Sequence, residues 1–129
     1  MSNNPNALRV LVVDDEPLIR WSLAETLSGD GHEVTQAEDA AATRRAVKEA
    51  KHPPDVVLLD YRLPDSNDLG LLASIRHDAP QAQVILMTAH ATPEMARGAL
   101  ELGAYRVVSK PFEVREVAAL VAEAHAAPH

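Results

Sequence analysis

Five short runs rich in valine, leucine and isoleucine punctuate the chain: "LRVLVV" (8–13), "EVTQA" (33–37), "DVVLLD" (55–60), "QVILMT" (83–88) and "YRVVS" (105–109). Several are apolar at successive positions and do not alternate with polar residues, the pattern of parallel strands covered on both faces. Parallel neighbours need a crossover between them, and the stretches between these runs carry helical periodicity. Behind Pro17, which suits a first helical position, Ile19, Leu23 and Leu27 form one stripe that Gly29 and Gly31 bring to an end. Ala42, Ala46 and Ala50 repeat the spacing within 39–50, before Pro53 and Pro54 break it. Leu69, Leu72 and Ile75 give a third stripe. Thr92 and Pro93 read as N-cap and first residue of a fourth helix that Gly103 closes, and Val114, Val117, Ala118 and Val121 mark a fifth. Crossovers between parallel strands are right-handed, so this alternation predicts an α/β fold, a flavodoxin-like (βα)5 open sandwich with helices on both faces; its usual form at this length has strand order 2-1-3-4-5. One domain is expected over 8–125, with 1–7 and 126–129 as tails.

The totals agree with one compact core. The chain has 129 residues, 47% of them hydrophobic, and no cysteine, which excludes disulfides and thiolate metal sites. No apolar run approaches the ~20 residues that span a bilayer, and "MSNNPNA" lacks the charged and apolar regions of a signal peptide. A cytoplasmic protein away from membranes is expected. The net charge of −7 opposes direct contact with nucleic acid, and an aromatic content of 3% disfavours a base-stacking surface. Trp21 reads as a packing residue. "GDGHEV" (29–34) follows a helix and lacks a third glycine, so it is not a phosphate loop. The histidines show no ligand spacing apart from His125 and His129 near the end.

Charge is crowded where the first strand ends. In open α/β sheets ligands bind beyond the carboxyl ends of the strands, where strand order reverses, here between the first and third strands. Asp14 and Asp15 end the first strand and Asp60 the third; Thr88 ends the fourth, and Lys110 follows the fifth. Two carboxylates ~5 Å apart repel by roughly 3 kcal/mol at an effective dielectric of ~20. Three together either take up protons or hold a cation, and a hard divalent ion, Mg²⁺ above all, fits few carboxylates plus water and phosphate oxygens. A carboxylate beside such an ion and a lysine can attack phosphorus to give an acyl phosphate, with Thr88 binding one transferring oxygen.

The segments "VVDDE", "DVVLLDYRLPD", "VILMTAH" and "VVSKPF", in this order and spacing, resemble the receiver domain of bacterial two-component response regulators over about residues 8–125. The resemblance implies Asp60 as phosphoacceptor and Mg²⁺ as cofactor. The metal's partners would be Asp15, Asp60, the backbone carbonyl of Arg62, and Asp14 through a water. Thr88 and Lys110 would bind the phosphoryl group, Ala89 would leave it access, and the Lys110–Pro111 bond would be cis. The donor would be a phosphohistidine on a sensor histidine kinase. "DEPLIRWSLAETL" further resembles receivers of nitrogen-regulation-type transcriptional activators, which carry an ATPase and a DNA-binding domain downstream.

Three positions depart from the family pattern: Asp68 and Ala91 where glycine is usual, and Val107 where an inward-turning aromatic is common. Tyr105, two residues earlier, would share a strand face with Val107 and so could replace that aromatic; otherwise Thr88 and the fourth helix carry the change alone. Arg62 and His90 are expected to overhang the phosphoryl site and set its lifetime. The expected function is a phosphorylation-dependent switch and not an enzyme. Charge added at Asp60 would alter the face formed by the fourth helix, fifth strand and fifth helix, with Arg97, Glu101, Tyr105, Arg106, Glu113 and Arg115 as candidate surface residues for an output domain, a partner or a homodimer. Two other classes fit part of the pattern. A haloacid-dehalogenase-like phosphatase also uses an aspartyl nucleophile, but places a second Asp where this chain has Arg62. A phosphorylation-independent docking module has no use for a metal site.

Overall fold

The computed structural model describes residues 7–66 and 69–126; the expected tail residues 1–6 and 127–129, and the departure at Asp68, lie outside them. The elements are β1 (Arg9–Val13), α1 (Pro17–Gly29), β2 (Glu33–Ala37), α2 (Ala40–Glu49), β3 (Val56–Asp60), α3 (Gly70–Asp78), β4 (Gln83–Thr88), α4 (Pro93–Glu101), β5 (Ala104–Ser109) and α5 (Val114–Ala126). The strands form one parallel sheet in the order β2-β1-β3-β4-β5, the expected usual order for such a sandwich.

The three central strands are buried on both faces, and the period of two sorts their side chains into two cores. Leu11, Val13, Val57, Leu59, Val84 and Leu86 face α2, α3 and α4. Val10, Val12, Val56, Leu58, Ile85 and Met87 face α1 and α5. The edge strands β2 and β5 bury far less, which explains the polar content of "EVTQA".

Local chemistry sets the helix ends. Pro17 opens α1, and Asp39 caps α2 by accepting a hydrogen bond from the Ala42 N–H at 2.7 Å. Thr92 does the same for the Met95 N–H of α4 at 3.1 Å. Gly103 ends α4 at φ 100°, a left-handed turn that a side chain resists by about 1–2 kcal/mol.

Two helical readings need correction. The buried stripe of α2 is Ala40, Thr43 and Val47; Ala42 and Ala46 only flank it, and Ala50 lies past the helix and is exposed. Thr43 can be interior because its hydroxyl donates to the Asp39 carbonyl at 2.7 Å. Trp21 is 57% exposed, since the inner face of α1 is taken by Leu23, Ala24 and Leu27 and Trp21 points away from it.

Candidate functional site

At the carboxyl edge of the sheet, β1 runs directly into Asp14, whose N–H donates to the Ala37 carbonyl at 3.1 Å and so extends the β1–β2 ladder by one residue. Asp14 is fully buried, Asp60 and Thr88 nearly so, and Asp15 is exposed. Carboxylate oxygens of Asp14, Asp15 and Asp60 lie within 4.8 Å of one another. The Lys110 backbone N–H donates to the Thr88 carbonyl at 2.8 Å, which brings the lysine to the same edge from the far side. Its Nζ donates to Asp14 Oδ2 at 2.9 Å, to Asp60 Oδ2 at 3.2 Å and to Glu16 Oε1 at 3.4 Å. The Lys110–Pro111 bond is cis.

The charges are unevenly balanced. Burial, then the neighbouring charge of Asp14, pushes the Asp60 carboxyl up to about 6, against the opposing pull of Lys110 and of the Arg62 N–H. Burial alone would lower the Lys110 ammonium, but its hydrogen bonds and charge contacts with Asp14 and Asp60 outweigh that and hold it above its ordinary value. One ammonium thus serves three carboxylates. Asp14 Oδ1 accepts from the Glu16 N–H at 2.9 Å, and Asp60 Oδ1 from the Arg62 N–H at 3.2 Å. A shortfall of positive charge among clustered oxygens, with Asp15 open to solvent, fits a hard divalent cation.

The other expected residues also sit at this edge. Ala89 is exposed beside Lys110, and the His90 N–H donates to Thr88 Oγ1 at 3.2 Å. The Arg62 and His90 side chains are exposed. An open groove of about 460 Å³ adjoins the site, lined by Glu16, Leu18, Ile19, Ala89, Pro111 and Phe112 among others.

Tyr105 is placed differently from the expectation. Val84 pairs with Ala104 but Ile85 with Arg106, so Tyr105 is the extra residue of a β-bulge. The bulge reverses the alternation: Val107 packs on the α2/α3/α4 core, whereas Tyr105 packs on the α1/α5 core. The two do not share a face. The Tyr105 hydroxyl instead donates to Glu123 of α5 at 2.8 Å, beside Arg106, which pairs with the same carboxylate at 2.9 Å. Arg115, among the candidate surface residues, reaches Asp30 beyond α1 at 3.2 Å.

Two residues were missed by sequence reasoning. Arg20 donates to the Asp14 carbonyl at 2.7 Å, and Asp65 accepts from the N–H groups of Ala40 and Ala41 at 2.7 and 3.1 Å. No periodicity signals either contact: the first folds α1 back over the β1–α1 turn, and the second joins segments that only the sheet brings together.

The geometry agrees with known proteins. Residues 10–122 match the model of the response regulator receiver domain. The chain belongs to that family. Its domain is a phosphorylation-dependent signalling switch, a regulatory phosphoacceptor in a two-component system. The chain is 41% identical over 115 residues to the DNA-binding transcriptional regulator NtrC of Escherichia coli K12, covering 89% of this chain and 24% of that protein. It is 37% identical over 108 residues to the probable transcriptional regulatory protein TcrX of Mycobacterium tuberculosis, covering 84% of this chain and 45% of that one. It thus spans about a quarter of the NtrC relatives it matches. Among solved structures, a CheY-like receiver domain protein from Methanospirillum hungatei superposes with a TM-score of 0.86 at 27% identity, covering 92% of this chain and 94% of that one. NtrX from Brucella abortus gives 0.82 at 35% identity, covering 92% of this chain and 27% of NtrX. No helix of the described residues is long and apolar enough to cross a membrane.

Proposed function

We propose that Asp60 accepts a phosphoryl group from a phosphohistidine of a sensor histidine kinase in the cytoplasm, with Mg²⁺ held by Asp15, Asp60, the Arg62 carbonyl and, through a water, Asp14. The observation that carries this reading is the Asp14–Asp15–Asp60 cluster, with its oxygens within 4.8 Å and Lys110 bonded across it. Bound there, the metal would screen the negative charge that otherwise keeps a carboxylate and a phosphoryl group apart. The chain's own residues do the rest. A carboxylate oxygen of Asp60, which a neighbouring cation would keep ionised, forms the new O–P bond as the P–N bond to the imidazole breaks and the imidazole leaves. Lys110 Nζ, already 3.2 Å from Asp60 Oδ2, binds a transferring oxygen, and Thr88 Oγ1 turns to another. The groove beside Lys110 and Ala89, lined by exposed Leu18 with Ile19, Pro111 and Phe112, supplies an apolar approach for the donor.

Phosphorylation would draw Thr88 inward and shift α4 without an aromatic swing, because Val107 is small and Tyr105 lies on the opposite face. The altered α4–β5–α5 face, including Arg97, Glu101, Arg106 and Glu113, would then control an output domain, as the regulator names of the relatives suggest, or form a homodimer. This receiver would not touch nucleic acid itself. Incubation with acetyl phosphate and Mg²⁺ followed by intact mass measurement should add one phosphoryl group to wild type and none to Asp60→Asn. Labelling that persists in Asp60→Asn, or continuous turnover of a phosphate ester, would reject the reading.

A further inference from the structure

Asp65 is exposed, yet its carboxylate makes two hydrogen bonds to backbone N–H groups of another element: Ala40 at 2.7 Å and Ala41 at 3.1 Å, at the start of α2. Those bonds hold the carboxyl below its ordinary value. Asp39 caps the same helix locally at the Ala42 N–H, and Asp65 adds to that cap from a different loop. The sheet order shows what else the contact does. β2 and β3 flank β1, so a bond from the loop after β3 to the helix after β2 crosses over the carboxyl end of β1, where Asp14 and Asp15 lie. On the α2 side the chain leads back to Ala37, whose carbonyl holds the Asp14 N–H. On the β3 side it leads back through Leu63 to Arg62 and Asp60. Leu63 is buried and exchanges backbone hydrogen bonds with Ser66 at 2.7 and 3.2 Å, and the Tyr61 N–H donates to the Met87 carbonyl at 2.8 Å.

We propose that Asp65 is a positioning residue for the metal site: it ties the Arg62 segment to the α2 N-terminus and so sets the spacing between the Asp60–Arg62 donors and Asp14–Asp15. The inference rests on the Mg²⁺ reading given above. It needs no contact between Asp65 and the metal. Loss of the tether leaves the Arg62 segment with its bonds at Tyr61, Arg62 and Leu63 but none to α2 among the described residues, and part of its ordering must then be supplied by Mg²⁺ binding itself.

Mg²⁺ titration of the apo protein, followed calorimetrically and by backbone amide shifts, tests this directly without phosphorylation. Asp65→Ala should weaken Mg²⁺ binding about tenfold, the low end of what outer-shell partners of a metal contribute. Asp65→Asn, which keeps one acceptor for Ala40, should recover most of that loss. Asp39→Ala, which removes only the cap, should lower stability and leave Mg²⁺ affinity within about twofold. Equal Mg²⁺ affinity in wild type and Asp65→Ala overturns the proposal, as does an equal loss in Asp39→Ala, since helix capping would then account for both. Should Asp65→Ala fail to fold, Asp65→Leu, which keeps a similar branched shape with no acceptor, takes its place, and an Mg²⁺ affinity equal to that of wild type in that variant overturns the proposal in the same way. A wild type that binds no Mg²⁺ overturns the metal reading itself and this inference with it.

Discussion

Asp60 carries two opposed demands. Its burial among Asp14 and the strand ends raises its carboxyl from 3.8 to about 6, so the folded apo protein binds more protons than the unfolded chain between those values. The sign follows: this group's contribution to stability falls as pH rises from about 4 to about 6 and stays lowered above that. Asp60→Asn removes the unfavourable charge, and should stabilise the metal-free domain at pH 7.5 by on the order of 2 kcal/mol, with the gain vanishing near pH 4. Urea denaturation in EDTA at the two pH values measures it. A second expectation concerns the rim. Arg62 and His90 are exposed beside Asp60 and Thr88, and it is their backbone N–H groups that donate to those two side chains. Exchanging the two side chains should change the lifetime of the phosphorylated form severalfold in radiolabel chase experiments, at unchanged fold stability; an identical decay rate would show that neither side chain gates water.

At the scale of elements, the β5 bulge is the feature with most consequence. A strand of regular alternation would put Tyr105 and Val107 on one face, and a single inserted residue reverses that parity. Tyr105 therefore joins β5 to α5 through Glu123, on the face opposite Val107. Tyr105→Phe should cost less than about 1 kcal/mol, since Arg106 keeps its own exposed bond to Glu123. It should also leave unchanged the amide shifts that a phosphoryl analogue induces in α4. Loss of those shifts would return Tyr105 to the switch. The caps and breakers were legible in advance because they act locally: Pro17, Thr92 and Gly103 stand where α1 and α4 begin and end. The α2 stripe was misread by one helical position, since alanines at a spacing of four mark a face only weakly and the intramolecular bond that lets Thr43 be buried cannot be seen in a pattern of polarity.

For the whole molecule, the acidic site and the folded state are linked through the sheet. Five strands converge their carboxyl ends, and one lysine offsets three carboxylates. A cation that binds only this arrangement stabilises it, by about 2.7 kcal/mol at a hundredfold excess over its dissociation constant. Mg²⁺ should accordingly raise the midpoint of urea unfolding of wild type, and EDTA should reverse the rise. Asp15→Asn should lose most of it, because that change removes an exposed donor without disturbing the buried Asp14–Lys110 pair.

Apolar runs, helix signals and the acidic and lysine positions were all written in the chain, and by themselves they determined the alternation of strand and helix, the two-sided core and the strand ends at which the chemistry gathers. Periodicity and strand-end placement are local properties, so a linear text can hold them. Which way Tyr105 faces, which side of α1 Trp21 occupies, and that Asp65 reaches across β1 to α2 were decided only by the tertiary structure. The first depends on a register shift, the second on which face of α1 the core takes, and the third on a bond between segments distant in sequence, and none of these leaves a mark until the sheet has assembled.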